Sequence, residues 1–122
     1  MSTNPSFNHV SDLSKAAIDI LNERARQMNE ESWTPAHDDQ HADFSLSRAA
    51  IAYAACAAAG PIDRTIIDAY GAAGLTAFLK ALWPIGWSTQ WFKPTSRRRD
   101  LIKAAALLMA EIERLDRLEP QP

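Results

Sequence analysis

Cysteine occurs once in this chain, basic residues do not outnumber acidic ones, and no apolar run is long enough to span a bilayer. The lone Cys56 excludes an internal disulfide. Its setting in "AAIAYAACAAAG" marks a small buried residue rather than a nucleophile, which needs an exposed, electropositive place. That cysteine usage suits a reducing cytoplasm. The formal net charge of -2 argues against nucleic acid as a partner, since whole-surface binding needs a strongly basic face. The longest weakly polar stretch, Ala49 to Gly60, is mostly alanine and too short to cross a membrane. "MSTNPSFNHV" lacks the basic start and apolar run of a secretory signal. These absences point to a soluble, cytoplasmic protein with no membrane partner. With 122 residues, 47% of them apolar and 23% charged, the chain is one ordinary globular domain with enough length to bury a core.

Strand-like alternation and internal repeats are also missing, and what remains is helical periodicity. Residues 1–10 read as a loose arm, with Asn4, Pro5, Ser6 and Asn8 working against regular structure. A helix follows with Ser11 as its expected N-cap and Leu13, Ala17, Ile20, Leu21, Ala25 and Met28 as its apolar stripe. "SLSRAAIAYAACAAAG" predicts a second helix, capped by Ser45 and closed by Gly60 with Pro61 just beyond. Its alanines predict close packing against another helix. The stretch from Pro61 to Trp83 is helical in tendency but interrupted at Gly71 and Gly74. "WPIGWSTQWFKP" is a loop. "TSRRRDLIKAAALLMAEIERLDRL" is the clearest helix, with Leu101, Ala105, Leu108, Ile112 and Leu115 on one face. Residues 119–122 form a tail. The expected fold is all-α: a single-domain bundle of four to five helices over residues 11–118, with two long loops carrying the polar chemistry.

The first loop holds "SWTPAHDDQH", residues 32–41. His37 and His41 are four apart and would share one helical face, as two metal ligands require. Asp38 or Asp39 would add an oxygen ligand, with Glu23, Glu30 or Asp100 completing the shell of a divalent metal from elsewhere. A plainer reading serves part of the same text. Thr34 is a good N-cap, Pro35 is favoured at the first helical position, and Asp38 and Asp39 suit the positive end of a short helix. That reading leaves both histidines unexplained.

In the second loop Trp83, Trp87, Trp91 and Phe92 fall within ten residues. At least two of these rings are expected to fold down and complete the core, leaving one or two as a stacking platform for a flat ligand. Thr95 or Ser96 then caps the last helix, and Arg97, Arg98 and Arg99 occupy its first turn, against the helix dipole. Free amides, the positive dipole end and guanidinium groups make an anion or phosphate site, to which Lys93 adds a contact. The last helix is also charge-inverted: Arg97 to Lys103 form its basic half, while Glu111, Glu113 and Asp116 form an acidic half, softened by Arg114 and Arg117. Two copies packed antiparallel would pair those halves, which predicts a homodimer or higher homo-oligomer.

"ERARQ" at 23–27, "WTPAHDDQH" at 33–41, "WFKP" at 91–94 and "RRDLIKAAALLMAEIERLDR" at 98–117 resemble a family of small phage and prophage proteins. Its pattern runs "ER-x-RQ … GWTPEHDD … WPW … WWKP … RRDLVKAGALILAEIERLDR". Residues 61–82 lie outside the match. The resemblance implies candidate functional positions at Glu23, Arg26, Gln27, Trp33, His37, Asp38, Asp39, Trp91, Lys93, Arg98, Arg99, Asp100 and Lys103. Ser32 replaces the family's glycine before the tryptophan, and "DFSL" at 43–46 stands where relatives carry a glycine–glutamate–leucine run. The family's glutamate there is therefore missing. The implied role is a phage-encoded accessory protein acting in the host bacterium's cytoplasm, by analogy one that sequesters a nucleotide signal to blunt host defence.

Three functional readings follow. The leading one is a binding protein for an anionic, nucleotide-like small molecule. Trp33, Trp87 and Trp91 would stack the base, and Lys93 with Arg97, Arg98 and Arg99 would hold phosphate. The cluster from His37 through Asp38 and Asp39 to His41 would contact the ribose or order a neighbouring loop, and Lys103 is a further ligand-binding candidate. The second is a metal-dependent phosphohydrolase with His37, Asp38 and His41 on the metal. The third is a helical module that binds a host protein.

Overall fold

The computed structural model describes residues 9–30, 36, 44–70, 81–88 and 91–118. Among them stand four α-helices and no strand: α1 (Lys15–Glu30), α2 (Ser45–Ala57), α3 (Pro61–Tyr70) and α4 (Arg97–Leu118), with a 3-10 turn at Val10–Asp12 ahead of α1. The fold is all-α, as the periodicity predicts. No helix of the described residues is long and apolar enough to cross a membrane.

Three of the expected helix boundaries move. Ser14, not Ser11, opens α1: its Oγ accepts the Ala17 N–H at 3.1 Å and its carbonyl accepts that of Ile18 at 3.0 Å. Ser11 is taken up in the separate turn, which closes through Asp12 N–H to His9 O at 3.0 Å. Ser45 is the first residue of α2 rather than its cap. The cap position belongs to Phe44, which stands in the left-handed region at φ 67 and offers no side-chain acceptor. Gly60 does not close α2, which ends at Ala57 with Ala58 as its C-cap. Gly60 instead starts α3, its carbonyl accepting the Arg64 N–H at 2.8 Å, with Pro61 at the first helical position where its missing N–H costs nothing.

The core is built around α2. Leu46, Ala49, Ala52, Tyr53 and Cys56 pack with Ile67 of α3, Trp83 and Phe92 of the connection, and Ala104, Leu107 and Ala110 of α4. Ala49, Cys56 and Ala106 have no exposure at all. Such small residues set how closely two helix axes approach, and α2 makes its broadest contact with α4. Burial pushes the Cys56 thiol up to about 11, with the Asp100 carboxylate adding to the effect, so the thiol is structural as expected. In the connection, Gly86 at φ 89 occupies the third position of a turn closed by Trp87 N–H to Pro84 O at 3.2 Å, the position where a type II turn requires φ > 0.

The two apolar stripes read from the terminal helices are not the faces that enter the core. On α4, Leu101, Leu108, Ile112 and Leu115 are between 46% and 58% exposed, and the buried face carries Asp100, Ile102, Ala104, Ala106, Leu107, Ala110, Glu111 and Arg114. On α1, none of the expected stripe is buried; Glu23, Arg24 and Gln27 are. The reason is that α4 is apolar on two sides. Its alanine-rich side fits the alanines of α2, and α1 meets α4 through matched charges.

Truncating Leu107 to Ala should lower the unfolding free energy by about 2–5 kcal/mol, because it is 1% exposed within the core. Ile62→Ala, at a position 79% exposed, should stay within about 0.5 kcal/mol. Urea unfolding of the two variants checks this, and equal losses would contradict the assignment of the core.

Candidate functional site

The start of α4 is fixed before any ligand is considered. Ser96 is its N-cap, with Oγ accepting the Arg99 N–H at 3.1 Å and its carbonyl accepting that of Asp100 at 2.9 Å. Asp100 is fully buried and accepts the Thr95 N–H at 2.8 Å and Arg64 Nη1 at 2.7 Å. Arg64 also donates to the Cys56 carbonyl at 3.2 Å, to Asp68 at 3.0 Å and to the Thr95 carbonyl. One guanidinium thus ties the end of α2, α3 and the loop before α4 to the buried aspartate. Asp100, which the sequence offered as a remote metal ligand, is used in this tie.

Carboxylates on α1 answer the cost of placing arginines against the α4 dipole. Arg98 Nη2 lies 2.9 Å from Asp19 Oδ2, and Arg99 donates to Glu23. Glu23, itself without side-chain exposure, also accepts Arg26 Nε and Nη2 at 2.8 Å each and Gln27 Nε2 at 3.1 Å. Burial alone would push the Glu23 carboxyl up, but the hydrogen bond and charge of Arg26, with Arg99, hold it below the ordinary value of 4.5. The Asp19 carboxyl is also lowered, chiefly by the Arg98 hydrogen bond against an opposing effect of desolvation. Farther along, Arg24 Nε pairs with Glu113 Oε1 at 3.0 Å, and Arg114 donates to Glu111. Part of the acidic half of α4 is thereby engaged within the chain.

Two clefts meet at Glu23 and Arg26. The outer one, open and about 410 Å³, is lined by Asp19, Asn22, Glu23, Arg26, Ser96, Arg98, Arg99 and Ile102. The inner one, about 30 Å³, is lined by Glu23, Arg26, Gln27, Tyr53, Trp91, Lys93, Lys103 and Leu107. The first has the volume of a small-ligand site; the second holds little more than a water molecule. Tyr53 shapes the inner cleft. Its hydroxyl accepts the Lys93 N–H at 3.1 Å and donates to the Trp91 carbonyl at 3.3 Å, while the Lys103 ammonium sits 5.4 Å from the centre of its ring and donates to the Lys93 carbonyl at 2.7 Å. Burial, with the neighbouring Arg99 charge, lowers the Lys103 pKa from its ordinary value. Among the described residues the buried Gln27 Oε1 has no hydrogen-bond partner.

The aromatic loop divides as the sequence suggests. Trp83 and Phe92 are buried at 6% and 5%, and Trp91 is 51% exposed. The rings run in edge-to-face contact from Trp83 to Trp87 at 5.6 Å and from Trp87 to Trp91 at 6.0 Å. Trp87 connects the buried ring to the exposed one and lines neither cleft. Arg97 is exposed and also lines neither.

Of the residues singled out from the sequence, Glu23, Arg26, Gln27, Trp91, Lys93, Arg98, Arg99 and Lys103 come together around the two clefts. Trp33, His37, Asp38, Asp39 and His41 lie outside the described residues. Among the described residues no group of three His, Cys, Asp or Glu side chains is arranged to hold a metal. Sequence reasoning missed Asp19, Asn22, Tyr53 and Arg64. Arg64 stands in the one long stretch that the family pattern does not reach, and Tyr53 reads simply as an apolar position in an alanine-rich helix.

The fold and site together define an all-α domain with a cation-lined cleft between its first and last helices. Comparison with protein-family models, with curated proteins and with solved structures finds no match.

The lowered Glu23 pKa has a consequence for stability. A carboxyl whose folded pKa lies below its unfolded value contributes stability that is present above the unfolded value and lost as pH falls through the folded one. Resistance to urea should therefore drop as pH falls below about 4.5, and Glu23→Gln should flatten that part of the profile. An unchanged profile in the variant would show that Glu23 is not the titrating group.

Proposed function

We propose that the chain binds an anionic, nucleotide-like small molecule across the two adjoining clefts, with its anionic part in the outer one and its flat part against Trp91 at the edge of the inner one. The observation that carries this reading is the convergence of five cationic side chains, Arg26, Lys93, Arg98, Arg99 and Lys103, against two carboxylates, Asp19 and Glu23, on adjoining clefts beside a half-exposed tryptophan. Arginines already held by carboxylates are pre-aimed, so a phosphate meets them without ordering flexible side chains. The Ser96-capped start of α4 adds a favourable dipole end. The inner cleft is too small for a base, so the ring rests on the outer surface of Trp91. The Gln27 oxygen, without a partner among the described residues, offers an acceptor to a bridging water or to a donor group on the ligand. On this reading the protein acts by sequestration, and the phage-accessory setting implied by its sequence motifs would make the ligand a host nucleotide signal.

Isothermal titration with mono-, di- and cyclic nucleotides, and with pyrophosphate, tests the proposal. Binding should weaken as salt rises. Arg98→Gln and Lys103→Gln should each raise the Kd roughly tenfold, the equivalent of one charge-assisted hydrogen bond. Absence of heat from every ligand would overturn it.

A further inference from the structure

We infer that α4 pairs antiparallel with α4 of a second copy of this chain, along the apolar stripe that faces away from the core. Leu101, Ala105, Leu108, Ile112 and Leu115 are spaced alternately four and three residues apart, the spacing of a helix–helix seam. They form a line about 21 Å long. The stripe is not the edge of the core. Ala106 and Ala110, each two residues from Leu108 and so about 200° around the helix, are 0% and 1% exposed, whereas Leu108 itself is 46% exposed. A helix that is apolar on two opposite sides needs a partner on each, and among the described residues α2 covers only one of them.

A second copy fits the other side. The ends of the stripe are symmetric about Leu108, with Leu101 and Leu115 each seven residues away. A two-fold axis at Leu108 therefore sets Leu101 against Leu115 of the second copy and Ala105 near Ile112, a small residue against a large one. This is the self-complementarity that a two-fold interface requires. Charge fixes the direction. Arg97 and Arg98, the latter also paired with Asp19 of α1, are exposed at the start of the helix, and Asp116 is exposed beside Arg117 at its end. Arg98 and Asp116 are eighteen residues apart, five full turns, and so lie on the same side of the stripe. An antiparallel pair brings the basic end of one copy to the acidic end of the other. A parallel pair would set like charges together. None of the stripe residues lines either cleft between α1 and α4, and only Arg98 at its edge also faces the outer one, so the pairing does not require a ligand.

Sedimentation equilibrium and paired cysteine cross-linking test this. The wild-type chain should be a dimer, and Leu108→Glu, which places two carboxylates at the two-fold axis, should make it monomeric. The thermal melt of the variant monomer should remain cooperative, because position 108 is outside the core. A mixture of Leu101→Cys and Leu115→Cys chains should give the mixed disulfide on oxidation, and Leu101→Cys alone should not cross-link, while buried Cys56 stays unreactive. A wild-type chain that remains monomeric would overturn the inference and leave the stripe to a different protein. A dimer unaffected by Leu108→Glu, or ready cross-linking of Leu101→Cys to itself, would also overturn it.

Discussion

Asp100 has no solvent exposure, and both of its oxygens are in use, one by the Thr95 N–H and one by Arg64. A buried carboxylate is costly unless it is paired and fully hydrogen-bonded, so this one fixes its surroundings. Through Arg64 it reaches the end of α2 and the body of α3. Through Thr95 it sets the residue just ahead of the Ser96 cap. The direction in which α4 leaves the loop follows, and with it the places of Arg98, Arg99 and Lys103. Geometry at the cleft is thus decided by a side chain that lines neither of its two parts.

The same reasoning explains the polar face of α1. An apolar docking of α1 on α4 would bury more greasy surface, but it would leave Arg98 and Arg99 unsupported at the positive end of a helix. Asp19 and Glu23 remove that repulsion and are in turn held ionised by the guanidiniums. The resulting layer is expensive to dehydrate and specific in register, since each acid meets a particular base. The consequence is an open cleft in which cations are already positioned and outnumber the acids that hold them. Apolar side chains displaced from this layer are left on the outside of α1 and α4.

Much of the helical architecture was legible in the sequence, because periodicity and the alanine-rich runs report local structure directly. Ser96, Trp83, Phe92 and Cys56 behave as their local setting suggests. The two misread stripes share one cause. Reading the most apolar stripe as the buried one assumes that water is on the other side. Here the other side of α1 carries paired charges, and that of α4 carries both paired charges and the alanines that meet α2. No property of Leu101 or Ile112 alone reveals that Ala106 and Ala110 are the better match for the alanines of α2. Likewise Ser11 and Ser45 are good caps in isolation, and lost the role to a preceding turn and to a residue in the left-handed region. At the site, Arg26, Lys93, Arg98 and Lys103 were legible from motifs. Arg64 was not, because its role depends on a contact with Asp100 across 36 positions of sequence.

A double-mutant cycle on Asp100 and Arg64 tests this frame most directly, using urea unfolding of the wild type, Asp100→Asn, Arg64→Gln and the double variant. If the buried pair organises the start of α4, each single change strands a partner and the two effects are strongly non-additive, with a coupling of about 1–3 kcal/mol. Additivity to within about 0.5 kcal/mol would contradict the account, because the two side chains would then be acting independently.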